Sequence, residues 1–210
     1  VRVQGLQNAA DVALPAPAGA KDHVIVAVLD YDTTTARSDL FYETLPVKDG
    51  FVDIAGRDDL CYITVWNRHG SGEHTVSICR NLYLKEGAMA TTVSHDCHNL
   101  TLCYKTPQDG YAAAHALIDC GGGFCTVRRG EVTGLLKLPV AGLMSMLTCR
   151  ELVPAIAAQE QATDEIFVRP GSMMKLSLVS LACTQNAVIT DKGLFDGRTQ
   201  KFYQQFMEEK

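Results

Sequence analysis

From Val24 onward the chain is cut by turn residues into short apolar or alternating runs, and this punctuation constrains the fold more than any other feature. Val24–Leu29 is wholly apolar and holds β-branched residues, which predicts a buried strand. Thr33–Thr35 and Asp39–Tyr42 continue in extended character, and Lys48-Asp49-Gly50 is a turn signal that sends Phe51–Ile54 back as a return strand. Leu60–Trp66 predicts a further strand, and His74–Cys79 alternates polar with apolar, as a half-exposed strand would. Ala88–Val93 predicts a buried strand, Leu100–Tyr104 resumes extended structure, and Phe124–Arg128 with Glu131–Leu138 predict a hairpin joined at Arg129-Gly130.

Helical signals are fewer. Pro107-Gln108-Asp109 opens an Ala-rich stretch, Gly110–Cys120, that ends on Gly121-Gly122-Gly123. A second helix spans Thr148–Ala162, with Thr148 and Glu151 at capping-box spacing and Pro154 requiring either a first-turn position or a kink. Ser172–Ala182 is apolar and fits strand or helix, and Thr199–Lys210 predicts a short polar-faced helix. With strands outnumbering helices and the two interleaved, the fold class is α+β or α/β: a mixed β-sheet with a few packing helices, not a TIM barrel. In domain terms, residues 1–22 form an Ala/Pro-bearing lead-in or linker and residues 23–210 one domain, a size ordinary for a single core.

The net charge of -5 offers no basic footprint for a phosphate backbone, so nucleic acid is not an expected partner. No apolar run reaches the roughly 18 residues of a membrane helix, and the first residues lack the features of a signal peptide. The absence of an initiator Met reads as a domain cut, although processing could produce the same end. Eight cysteines scattered through strand-like and helix-like segments, with no CxxC pair, read as reduced thiols and a cytoplasmic location rather than a disulfide framework.

The densest chemistry is His95-Asp96-Cys97-His98-Asn99, five polar side chains directly after an apolar strand. Loops at strand ends are where a rigid scaffold displays reactive groups, and imidazole beside carboxylate suits acid/base work near neutral pH. The same residues also make an ordinary polar turn, with Asp96 and Asn99 bonded to nearby backbone. His95, His98 and Cys103 could in principle hold zinc, although the spacing matches no standard ligand pattern. Cys97 could be a nucleophile activated by a neighbouring His, although such pairs are normally brought together by the fold rather than adjacent in one loop. Arg68-His69 forms another polar group at a strand end, and the Pro/Gly-shaped stretch 138–145 offers only Ser145. Gly121-Gly122-Gly123 precedes a strand, so it reads as a helix stop with close packing rather than a phosphate loop.

Several stretches in this order resemble the C-terminal region of the adenine deaminase family: Leu45–Gly50 (LPVKDG), Asn67–Gly70 (NRHG), Leu84–Asn99 (LKEGAMATTVSHDCHN), Asp119–Gly123 (DCGGG), Leu138–Ser145 (LPVAGLMS) and Thr190–Asp196 (TDKGLFD). The resemblance implies an amidohydrolase that converts adenine and water to hypoxanthine and ammonia, using manganese, iron or zinc held in an N-terminal barrel. This chain has no His-x-His pair and six histidines in all, so the resemblance implies no metal or other cofactor here and an inactive isolated domain. The implied partners are that barrel, as domain or subunit, a purine base in the whole enzyme, and a second copy if the enzyme is a homo-oligomer. The implied candidates for catalysis are His95, Asp96 and His98. For substrate or interface contact they are Arg68, His69, Cys97, Asn99 and Ser145. Cys97 stands where the family has serine, and Ala182-Cys183-Thr184-Gln185 departs from the family's Val-x-Pro-Glu-like continuation. A free-standing binding or assembly module, and a small cysteine or zinc hydrolase, are the alternative functions.

Overall fold

A computed structural model describes residues 1–183 and 186–207. Its strands are β1 (His23–Asp32), β2 (Arg37–Lys48), β3 (Phe51–Val52), β4 (Leu60–Trp66), β5 (His74–Arg80), β6 (Ala88–Thr91), β7 (Leu100–Tyr104), β8 (Gly123–Arg128), β9 (Glu131–Lys137), β10 (Ala187–Thr190), β11 (Gly193–Asp196), β12 (Lys201–Phe202) and β13 (Phe206–Met207). Its helices are α1 (Pro107–Cys120), α2 (Cys149–Ile166) and the single turn α3 (Met173–Leu176). The large sheet is open, in the order β3-β2-β1-β5-β4-β7-β6-β8-β9, with β13 also on β1; β10-β11-β12 form a separate small sheet. Its pairs are antiparallel except β1 with β5, so the sheet is mixed, as the sequence predicts.

Strand periodicity builds two cores. Val24, Val26 and Val28 face one side of the sheet and Ala27, Leu29 and Tyr31 the other, so β1 is buried on both faces. On the first face α1 packs Ala113, Ala114 and Leu117 against Trp66 and Tyr104, joined by Val12 and Leu14 from the lead-in. Gly110 permits this approach: a Cβ there would sit 2.7 Å from the Tyr104 ring. On the second face α2, α3 and the small sheet supply Ile166, Leu176, Ala187 and Ile189.

The local signals explain the element ends. Asp49 (φ 52°) with Gly50 (φ 82°), and Arg129 (φ 54°) with Gly130 (φ 80°), have the paired positive φ of the tight turn that matches strand twist. Thr106 caps α1, and Gly121 ends it at φ 86°. Gly122 and Gly123 are packing glycines, since a Cβ would lie 2.6 Å from Gly142 Cα and 1.9 Å from the Leu136 carbonyl oxygen respectively.

Other expectations change. β5 is mostly buried, not half-exposed, because β1 and β4 flank it and its polar Ser77 lies inside. Thr33–Thr35 belong to the turn between β1 and β2. α2 runs on to Ile166, and Pro154 lies in its second turn. The tail forms β12 and β13 rather than a helix: backbone pairing to β11 and β1 satisfies it more fully than an isolated polar helix could. Residues 208–210 of that expectation lie outside the described residues. No helix among the described residues is long and apolar enough to cross a membrane.

Candidate functional site

The polar loop between β6 and β7 is pinned at both ends. The Ser94 hydroxyl shares hydrogen bonds with the Thr101 and Ser180 hydroxyls, each at 2.7 Å. The His95 N–H donates to the Ser177 carbonyl at 2.9 Å, and the Ser180 hydroxyl donates to the His95 carbonyl at 3.1 Å. At the far end the His98 N–H reaches back to the Ser94 carbonyl at 2.6 Å. The loop therefore rests on the segment after α3, whose Ser177 and Ser180 carry no sequence signal beyond being serines in an otherwise apolar run.

Arg68 ties this loop to its neighbours. It is 7% exposed, and its guanidinium donates to the His98 carbonyl and, at 2.8 Å, to the Ala141 carbonyl. Burial pulls its pKa below the ordinary value, yet the group remains a cation spanning two carbonyls. The His69 ring lies 3.1 Å from the Cys97 carbonyl. Thr92 joins the next two segments: its hydroxyl donates to the Gly142 carbonyl and accepts from the Gly123 N–H, both at 2.7 Å. Gly142, at φ 71°, is wedged so closely that a Cβ would meet an Arg68 nitrogen at 2.9 Å and the Thr92 hydroxyl at 3.0 Å. Asn67 donates to the Asp191 carboxylate at 2.8 Å, which brings in the turn of the small sheet.

Segments 67–70, 91–99, 121–123, 138–145 and 190–196, dispersed along the chain, thus meet at one junction. At its surface Asp96 and Cys97 are exposed, His95 and His98 half-buried, and Asn99 buried. The rings of His95 and His98 lie 5.6 Å apart, centroid to centroid. Burial first, then the neighbouring His95 ring and the Arg68 guanidinium, lowers the His98 pKa, which favours its neutral form. Three atoms here, His98 Nδ1, Asn99 Oδ1 and Ser177 Oγ, are buried without a hydrogen-bond partner among the described residues. A neutral imidazole beside a second imidazole and an exposed carboxylate can donate to and accept from a planar polar ligand or another protein surface. Ser145 is half-buried, and its hydroxyl accepts the Leu147 N–H at 3.0 Å, so it shapes the backbone beyond the turn.

The structure separates the proposed zinc ligands. Cys103 is fully buried in β7, in register with Met89 and Ile63, and burial pushes its thiol pKa up. It faces the second core rather than joining His95 and His98. Among the described residues no three His, Cys, Asp or Glu side chains cluster to hold a metal. Thr184 and Gln185, at the departure near Cys183, lie outside the described residues.

Comparison with known proteins matches residues 35–201 to the family described as the adenine deaminase C-terminal domain. Adenine deaminase of Moorella thermoacetica is 37% identical over 183 residues, 86% of this chain and 30% of that protein. Adenine deaminase of Clostridium botulinum is 37% identical over 169 residues, 79% of this chain and 28% of the relative. The Escherichia coli enzyme is 34% identical over 197 residues, 93% of this chain and 32% of that protein. The chain spans about a third of the length of these curated relatives.

Proposed function

Because this chain belongs to the adenine deaminase C-terminal domain family, we propose that it is the accessory domain of an adenine deaminase that hydrolyses adenine to hypoxanthine and ammonia. In this reading the reaction runs in an amidohydrolase barrel that precedes the domain, and the domain presents the 95–99 loop at the mouth of that barrel. The observation that supports it is the junction itself: five segments far apart in sequence are bound together around Arg68 and Thr92, and they frame one polar tip. Manganese, iron or zinc would belong to the barrel; among the described residues no three His, Cys, Asp or Glu side chains cluster to hold a metal. His95 and Asp96 supply hydrogen bonds to the purine edge or to the barrel loops that hold it, and neutral His98 can accept as well as donate. Arg68 and Asn99 set the loop from within, while His69 supports the Cys97 carbonyl. The buried thiols of Cys61, Cys79, Cys103 and Cys125 support a reducing, cytoplasmic setting.

The test measures ammonia release from adenine with manganese, iron(II) or zinc added, first by this chain alone. It is then repeated with a chimera in which the chain replaces the matching C-terminal region of the Moorella thermoacetica enzyme. The chain alone is expected to be inactive and the chimera active. His95→Ala in the chimera should lower kcat/KM about tenfold or more, the loss of one well-made hydrogen bond in the transition state. Turnover by the isolated chain would overturn the accessory role, and so would a chimera inactive beside an active parent. A His95→Ala chimera as active as the unmodified one would remove the loop from the substrate side.

A further inference from the structure

Ten large hydrophobic side chains stand exposed among the described residues, and six of them lie between positions 132 and 153: Val132, Leu135, Met144, Met146, Leu147 and Val153. Met146 is 81% exposed, Val153 65% and Met144 59%. Single apolar residues scattered on a surface need no account, but four exposed between positions 144 and 153 point to a face that something covers. This run is also braced. Val140 and Met144 exchange N–H to carbonyl bonds at 3.1 Å in both directions, around a turn locked at Gly142 against Arg68 and Thr92. The Glu151 carboxylate accepts the Thr148 N–H at 2.9 Å and fixes the start of α2. Beyond that start the first half of α2 is thinly packed: Leu152, Ala155 and Ile156 are half-buried, and full burial begins at Gln159.

The path of the chain says what covers this face. The Arg2 N–H donates to the Arg68 carbonyl at 2.8 Å, and Arg2 bridges His69 as a parallel strand would. Val1 lies against Gly122, whose other close neighbours are Gly142 and the Thr92 hydroxyl. Residues 1 and 2 therefore lie at the same junction that carries the apolar turn and the 95–99 loop. The family is described as a C-terminal domain, and this chain spans only 28 to 32% of the relatives' length.

We infer that residues 140–153, with Met144, Met146, Leu147 and Val153 as apolar anchors beside the 95–97 tip, form the surface on which the preceding catalytic domain of the same polypeptide docks. The inference rests on the accessory-domain reading and specifies its contact face. Apolar anchors ringed by polar loop groups have the anatomy of a stable interface: the anchors exclude water and the polar tip sets orientation.

Native methionines test this without a substitution. Peroxide converts accessible Met to the sulfoxide at a rate set by exposure, and the oxidation of each Met is read by peptide mass spectrometry. In the isolated chain, Met144 and Met146 should oxidise at least as fast as Met207, which is 47% exposed on β1's side of the sheet, while buried Met89 stays reduced. In the chimera, Met144 and Met146 should slow at least tenfold with Met207 unchanged. Equal rates in the two proteins would overturn the docking face. Concentration-dependent protection in the isolated chain would also overturn it and assign the face to a second copy. Ammonia release measured on the same samples separates the two readings. Protection without turnover keeps the face and removes the deaminase role, and turnover without protection does the reverse.

Discussion

Arg68 and His98 show how the junction is held at the level of single side chains. A buried guanidinium normally needs a carboxylate, but Arg68 is aimed at the backbone carbonyls of His98 and Ala141, so its charge fixes the path of two loops. That arrangement makes His98 costly to protonate. Burial comes first, then the charges of His95 and Arg68, with His69 adding to them and Asp96 opposing. The folded-state pKa lies below the unfolded value of about 6.5, so the unfolded chain binds the proton more tightly. Stability from this group is therefore full above about pH 6.5 and is lost as pH falls toward and through the folded pKa. The melting temperature of the chain should drop between pH 7 and pH 5, and the drop should be shallower in His98→Asn. Asn tolerates the φ of 51° at that position and leaves the carbonyl that Arg68 holds. Coincident pH profiles for the two proteins would show that His98 is not the titrating group. The loop was legible in the sequence as a run of side chains with no place in a core, whereas its supports were not. Arg68 acts through backbone carbonyls, and Ser177 and Ser180 act from a segment whose conformation the residue pattern left open.

Element boundaries followed the residues wherever backbone conformation is chemically special. Asp49-Gly50 and Arg129-Gly130 turn where positive φ is needed, and Gly121 stops α1. Burial was harder to read, because it depends on neighbours: β5 alternates like a surface strand and is central only because β1 pairs with it in parallel. The tail becomes β12 and β13 for the same reason, its edges being taken up by β11 and β1. α2 carries a residue that its own helix would not choose. Pro154 in the second turn removes the N–H that would reach the Arg150 carbonyl, and its ring is exposed to solvent. Proline is about 3 kcal/mol worse than alanine inside a helix, with less lost near the N-terminus. Pro154→Ala should therefore stabilise the chain by about 1 to 3 kcal/mol in urea unfolding and slow amide exchange across 150–158. No change in either would mean that packing, not the helix, sets the stability of this half of α2.

At the scale of the molecule, the sheet carries two cores and the lead-in closes one of them. Composition marks the first residues as extended and loose, and the pattern Val12-x-Leu14 is too short to announce a core contribution. In the fold both side chains are buried beside Tyr104, whose hydroxyl donates to the Val12 carbonyl and lies 2.7 Å from the Thr64 hydroxyl. The indole N–H of Trp66, the single tryptophan, donates to the Gln4 carbonyl at 2.9 Å. A chain starting at Lys21 would lose two buried aliphatic side chains worth roughly 1.5 to 3 kcal/mol each, and would leave Trp66 and Tyr104 under-covered. Against a typical total of about 5 to 15 kcal/mol, that brings the domain close to unfolding. The truncated chain should unfold at clearly lower urea concentration, and its Trp66 emission should shift to the red before any denaturant is added, since the side chain is fully buried in the intact chain. An unshifted spectrum with an unchanged midpoint would make residues 1–20 a dispensable linker. The Arg2–Arg68 contact would then be incidental, and the proposed docking face would lose the support it draws from that contact.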